Sequence, residues 1–188
     1  MARALILLAA LALAGGSTSA AGTLPGTTTK ADRAAWKKLL HWPASCDASW
    51  RGEPGAGIAG VWPIGSGSHL VAVDCSLFAY QGTSMIFVLD STGRPLGPLI
   101  FHIYVDPGTG KPTPTKTTAP LGQIEYAPAT GILSVTDLAS GSGVCGIYST
   151  FKFLGAQLVP VAVRARETCT TAVTKTRWPK LPLLAPAG

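Results

Sequence analysis

No cysteine follows the small residues that close the chain's opening apolar run; the first is Cys46. A lipid-modified N-terminus is thereby excluded. No twin-arginine pair precedes the run, which points to the general export route. No later stretch reaches the roughly 18–20 apolar residues that a membrane-spanning helix needs. Charge is scarce as well, at 13% of the residues. That is too little for a disordered chain or one that coats nucleic acid. No Cys-x-x-Cys pair exists, and His41, His69 and His102 lie near no cysteine pair in sequence, so the ligand spacing of a zinc site is missing.

What is present begins with export. Met1, Ala2 and Arg3 supply a short positive start, Ala4 to Ala14 are uninterrupted apolar residues, and small residues follow to Ala21. This order is that of a secretory signal peptide over residues 1–21, cleaved after Ala20 or Ala21. Residues 22–29 are read as a flexible lead, 30–182 as a single disulfide-bearing β domain and 183–188 as a tail. Such a domain is long enough to bury a core. The formal net charge is +6 and falls by one with Arg3. Its basic residues are scattered, and Arg164 and Arg166 read as a solvated strand face.

Four cysteines, Cys46, Cys75, Cys145 and Cys169, agree with an oxidising compartment and two disulfides. Three connectivities are open. The favoured one joins Cys46 to Cys75 and Cys145 to Cys169, which closes the shorter loops.

Lys30 to His41 reads as one helix, entered through a capping box of Thr29 and Asp32 and stopped by Pro43. Ala35, Trp36, Leu39 and Leu40 share its apolar face. A loop is expected from there to about Gly57. Strands follow at 58–62, 69–80, 84–89, 96–105, 123–126, 132–136, 146–154 and 158–166, separated by turns such as Asp90-Ser-Thr-Gly93 and Pro128-Ala-Thr-Gly131. In the second strand Val71, Val73, Cys75, Leu77 and Ala79 fall on one face. Residues 106–120, with four prolines, read as an extended, mobile loop. The expected fold is therefore mostly β: an antiparallel sandwich or barrel of about seven or eight strands with one short N-terminal helix.

Catalytic motifs are absent. No Gly-x-Ser-x-Gly elbow occurs, and Ser68 and His69 are adjacent on a strand and so point to opposite faces. Gly108-Thr-Gly-Lys111 imitates the tail of a phosphate loop, but Val105 stands at the first glycine position and Pro112 at the hydroxyl position. Among the acids only Asp74 and Glu125 fall inside strands, where they offer a possible acid/base pair. Aromatic residues are better candidates for recognition. Trp42, Trp62 and Trp178 each precede a proline, and with Tyr80 they are the expected ligand or partner contacts.

Several short stretches carry a family resemblance: Cys75-Ser-Leu-Phe-Ala-Tyr80-Gln81, Leu121-Gly122, Tyr126, Thr130-Gly131-Ile-Leu133, Cys145-Gly146, Cys169 and Arg177-Trp178-Pro179. Together they resemble the uncharacterised exported proteobacterial proteins grouped as domain of unknown function 1176, over roughly Trp36 to Leu181. The resemblance implies export and no established activity. The family pattern before the third cysteine reads Arg-Gly-x-Gly-Asp-Cys-Gly. Here Ser140 to Gly146 keep the glycines and cysteine and lose both charged residues.

The expected role is non-enzymatic: a periplasmic or secreted protein binding a small apolar or glycan ligand in the mouth of a β barrel, or an envelope protein partner. No nucleic acid, cofactor, metal or catalytic residue is expected. Two rivals are an inhibitor or accessory factor of an envelope hydrolase acting through the 106–120 segment, and a hydrolase built on His102 or on Asp74 with Glu125.

Overall fold

The structure is a computed structural model that describes residues 23–48, 50, 56–106, 111–154 and 157–184. The signal peptide assigned to residues 1–21 and the Gly108-Thr-Gly110 stretch lie outside the described residues.

Helix α1 spans Lys30–Leu40. The Thr29 hydroxyl accepts from the Asp32 N–H at 3.1 Å, and the Asp32 carboxylate accepts from the Thr29 N–H at 2.8 Å. Both halves of the capping box are thus made. His41 ends the helix in the left-handed region at φ 54°. The buried face is Arg33, Trp36 and Leu40. Ala35, expected inside, is exposed; Arg33 takes that side because its guanidinium finds partners there. A five-residue helix α2, Ala44–Ala48, replaces part of the expected loop. It carries Cys46 to Cys75, and the second disulfide joins Cys145 to Cys169. Both pairings are the favoured ones.

Eleven strands are described: β1 Ile58–Gly65, β2 Ser68–Leu77, β3 Gly82–Leu89, β4 Pro95–Pro98, β5 Phe101–Val105, β6 Thr113–Thr117, β7 Gln123–Ala127, β8 Ile132–Leu138, β9 Gly146–Leu154, β10 Gln157–Arg166 and β11 Lys180–Leu181. The excess over eight has three sources. The run 96–105 splits, because the chain leaves β3 after Pro98 and β5 pairs with β6 instead. The proline-rich 106–120 segment is no free loop, since Thr113–Thr117 forms β6 with Pro114 opposite Tyr104. Proline is tolerated there because β6 pairs on one side alone. Finally, β11 adds a two-residue edge to β10.

The strands form sheets ordered β1-β2-β3-β4 and β11-β10-β9-β8-β7, plus the β5-β6 hairpin. Between the two large sheets, Leu70, Ile86 and Val88 pack against Phe101, Leu133 and Phe151. Phe101 and Phe151 meet edge to face at 5.4 Å. Among the described residues an isolated bridge, Thr83 to Leu121, ties β3 to the segment that precedes β7. The architecture is a sandwich, not a closed barrel.

Val71, Val73 and Cys75, on the other face of the first sheet, pack against Trp36, Leu40 and Trp42. The first sheet is therefore covered on both faces, which is why β2 and β3 read as continuous apolar runs rather than alternating ones. A bulge between Asp74 and Ser76 interrupts β2, and Leu77 and Ala79 beyond it are exposed instead of joining the expected face. On the outer face of the second sheet the chain after β10 returns as a strap. Trp178 is 1% exposed and donates its indole N–H to the Val173 carbonyl at 3.0 Å. Lys175 reaches the buried Thr136 hydroxyl at 3.1 Å, and Arg164 donates to the Trp178 carbonyl at 2.9 Å. Arg164 and Arg166 are accordingly half-buried and engaged by the strap, not a solvated face.

Candidate functional site

At one end of the sandwich, Asp137, Ile147 and Ala165 lie in one row across β8, β9 and β10, paired residue to residue. Asp106 and Pro112, from the β5–β6 connection, close the other side, and Arg166 and Glu167 complete the wall. The pocket between them holds about 110 Å³. A wider cleft of about 710 Å³ adjoins it, sharing Pro112, Ala165, Arg166 and Glu167 and running to Arg177 and Pro179. Trp178 is among the residues that line it.

The backbone at this mouth is set by contacts that tolerate no side chain. Gly122 has φ 128°, and a Cβ there would overlap the Thr136 carbonyl. Gly146 has φ 139°, and its Cβ would overlap the Asp137 carbonyl oxygen. Both conformations favour glycine, and both glycines let neighbouring backbone approach β8. Gln81 then clamps the strand end from the first sheet. Its amide donates to Asp137 Oδ1 at 2.9 Å and to the Leu138 carbonyl at 3.3 Å, and its oxygen accepts from the Leu138 N–H at 2.8 Å. The 140–146 loop closes on itself, with Ser140 and Ser142 hydroxyls 2.6 Å apart and the Gly143 N–H on the Ser140 carbonyl at 3.2 Å. It needs no charged residue to hold its shape.

Burial pushes the Asp137 carboxyl above the usual range; the Gln81 donation opposes this, and the negative charge of Asp106 adds to it. The folded protein thus holds the Asp137 proton more tightly than the unfolded chain does. Stability linked to this group is present below the ordinary aspartate value of about 3.9 and is lost as pH rises through the higher folded value. Asp137→Asn is therefore expected to unfold at higher urea than the wild type at pH 7. The gap should close as the pH drops towards the ordinary aspartate value. An equal midpoint for both proteins at pH 7 would show that the buried charge costs nothing.

Arg166 supplies the complementary chemistry. Its Nη2 donates to the Thr171 hydroxyl at 2.9 Å. Its Nη1 is buried and has no hydrogen-bond partner among the described residues. A buried N–H without a partner is uncommon and calls for a physical account. The wall of the mouth thus combines the Asp137 carboxyl with the Arg166 side chain, whose buried Nη1 has no partner among the described residues.

The residues expected from sequence are differently placed. Trp42 is 3% exposed, with its indole N–H on Asp47 at 3.1 Å, inside the helix-facing core. Trp178 is buried under the wider cleft. Trp62 is half-buried, 6.0 Å from the Tyr126 ring. Tyr80 is exposed, and its ring lies against Gly141. Asp74 accepts from the Ser84 hydroxyl at 2.8 Å on the first sheet, whereas Glu125 is exposed on the second, so the two do not form a pair. His102 stands on β5 opposite Lys116, away from the mouth. No group of three or more potential metal ligands occurs among the described residues.

Sequence reasoning passed over Asp106, Asp137, Arg166 and Gln81 as functional residues. Asp106 and Asp137 look like ordinary turn-edge acids, and only the approach of β5 to the second sheet brings them together. Part of the signal was visible. Gln81, Gly122 and Gly146 belong to the stretches that carry the family resemblance, and all three meet at the end of β8.

Fold and mouth together define a disulfide-bearing β-sandwich with a helical layer on one sheet and, at one end, a cleft whose lining includes charged side chains. The chain belongs to the family described as protein of unknown function (DUF1176), whose model matches residues 17–183. No curated protein and no solved structure matches it.

Proposed function

We propose that this is a non-enzymatic envelope protein, exported to the periplasm or beyond, that binds a glycan-type ligand in the mouth of its sandwich. The observation that carries the reading is Arg166 Nη1, without a partner among the described residues, on a side chain that lines the same pocket as Asp137. Neighbouring sugar hydroxyls both donate and accept, so they answer a carboxyl and a guanidinium together. The adjoining cleft leaves room for further units. Two disulfides fit an oxidising compartment. No helix among the described residues is long and apolar enough to cross a membrane.

The test is calorimetric titration of the oxidised protein with neutral oligosaccharides. Saturable binding is expected, with Arg166→Gln weakening it by about tenfold or more, the loss typical of one charged hydrogen bond. A panel without any binder, or an unaffected variant, would overturn the proposal.

The rival readings draw less from the structure. An inhibitor that inserts residues 106–120 into a cleft needs a free segment, and Thr113–Thr117 is committed to β6. A hydrolase using Asp74 with Glu125 needs them adjacent, and they stand on different sheets.

A further inference from the structure

A second groove lies near the start of β5, apart from the mouth. It holds about 320 Å³ between β4, the β5–β6 hairpin and the start of β10. This volume is at the small end of ordinary small-molecule sites, roughly 300–1,000 Å³. Its walls are apolar: Leu96, Leu99, Ile100 and Leu158. Leu96 is 50% exposed and Ile100 56% exposed, so two large aliphatic side chains face solvent side by side with a groove.

The polar part of the groove is one-sided. His102 and Lys116 are direct cross-strand partners in the β5–β6 hairpin, and both line it. Residues so paired place their side chains on the same face, about 4.5–5.5 Å apart at Cβ. Neither side chain has a hydrogen bond or ion pair among the described residues. No carboxylate is among the described residues lining the groove. A lysine ammonium beside an imidazole N–H, at the edge of an aliphatic trough, is complementary to an anion that carries a hydrocarbon chain.

We propose that this groove binds an acyl carboxylate. The carboxylate accepts from Lys116 Nζ and from an imidazole N–H of His102. The chain lies along Leu96, Leu99, Ile100 and Leu158, withdrawing the two exposed side chains from water. Charge selects the head group, and the trough selects the chain.

The experiment titrates the oxidised protein with sodium decanoate, with decanol as the neutral analogue and an acidic peptide as the chainless one. One decanoate per chain is expected, with decanol and the peptide each at least about tenfold weaker. Lys116→Glu and Leu96→Asp, both at exposed positions, should each weaken decanoate by about tenfold or more while thermal unfolding is unchanged. Absence of saturable decanoate binding would overturn the proposal. So would equal affinity for decanol, tighter binding of the peptide, or indifference to Lys116→Glu.

Discussion

Arg33→Ala is expected to lower the unfolding free energy by about 1.5–3 kcal/mol, the range for hydrogen bonds made by a charged group. The side chain is 10% exposed and joins three parts of the fold. Its Nε and Nη2 donate to Asp47 Oδ1 at 3.2 and 2.8 Å. Nη1 donates to the Ala56 carbonyl at 3.1 Å, and Nη2 also donates to the Asp74 carbonyl at 3.1 Å. The guanidinium lies 5.1 Å from the Trp42 ring and 4.5 Å from the Trp50 ring. Alanine removes the guanidinium from both carbonyls and opens a space between α1 and the first sheet. Urea unfolding at pH 7 measures the loss, and a change below about 1 kcal/mol would show the network to be replaceable.

The same substitution should alter the acid limb of the stability curve. Burial works against ionisation of Asp47, but the bonds from Lys37, Arg33 and Trp42 prevail and hold its carboxyl below the usual value. A depressed carboxylate stabilises the fold above the unfolded value of about 3.9, and that contribution is lost as pH falls through the lower folded value. Without Arg33 the depression shrinks, so less stability remains to be lost between pH 4 and lower pH.

Replacing both Cys46 and Cys75 by alanine is expected to cost about 3.5 kcal/mol through the unfolded chain alone, since the bridge closes a loop with a separation of 29 residues. Cys145 and Cys169, 24 apart, predict nearly the same entropic cost. Their structural consequences differ. Cys46 and Cys75 are buried at 3% and 5% exposure in the core beneath the helices, so their loss also leaves a packing defect. Cys145 is buried as well but Cys169 is exposed, so the second bridge places one cysteine rather than two in the core and ties down the strap. The Cys46/Cys75 variant should therefore have the lower thermal midpoint of the two. It should also be cut by trypsin in α1, at Lys37 or Lys38, under conditions that spare the wild type. Equal midpoints for the two pairs, with α1 resistant, would mean that packing alone secures the helical layer.

Local signals were legible where local physics decides. The capping box at Thr29 and Asp32 involves atoms three residues apart, and it forms as read. The strands from β7 to β10 are bounded by turns whose chemistry is written in adjacent residues. The disulfide pairing followed from loop length. Where distant chain segments decide, reading failed. Arg33 looks like a solvent-facing helix residue until Ala56 and Asp74 bring their carbonyls to it. Residues 106–120 have the composition of a loop, and β6 exists only because β5 presents an edge to it. The three tryptophans have equivalent sequence settings, yet Trp42 and Trp178 are buried while Trp62 keeps an exposed face.

By itself the sequence determined a mostly β chain with one N-terminal helix, two disulfides and no catalytic motif, because alternation, capping and turn formation are short-range. Only the tertiary structure decided that the sheets stack as an open sandwich, that a helical layer covers the first sheet, and that Asp106, Asp137 and Arg166 share a cleft. Those residues come from β5, β8 and β10 and their ends, and nothing in the neighbourhood of any one of them specifies the others. Their meeting depends on how the β5–β6 hairpin packs against the second sheet, a long-range event set by burial of the common core.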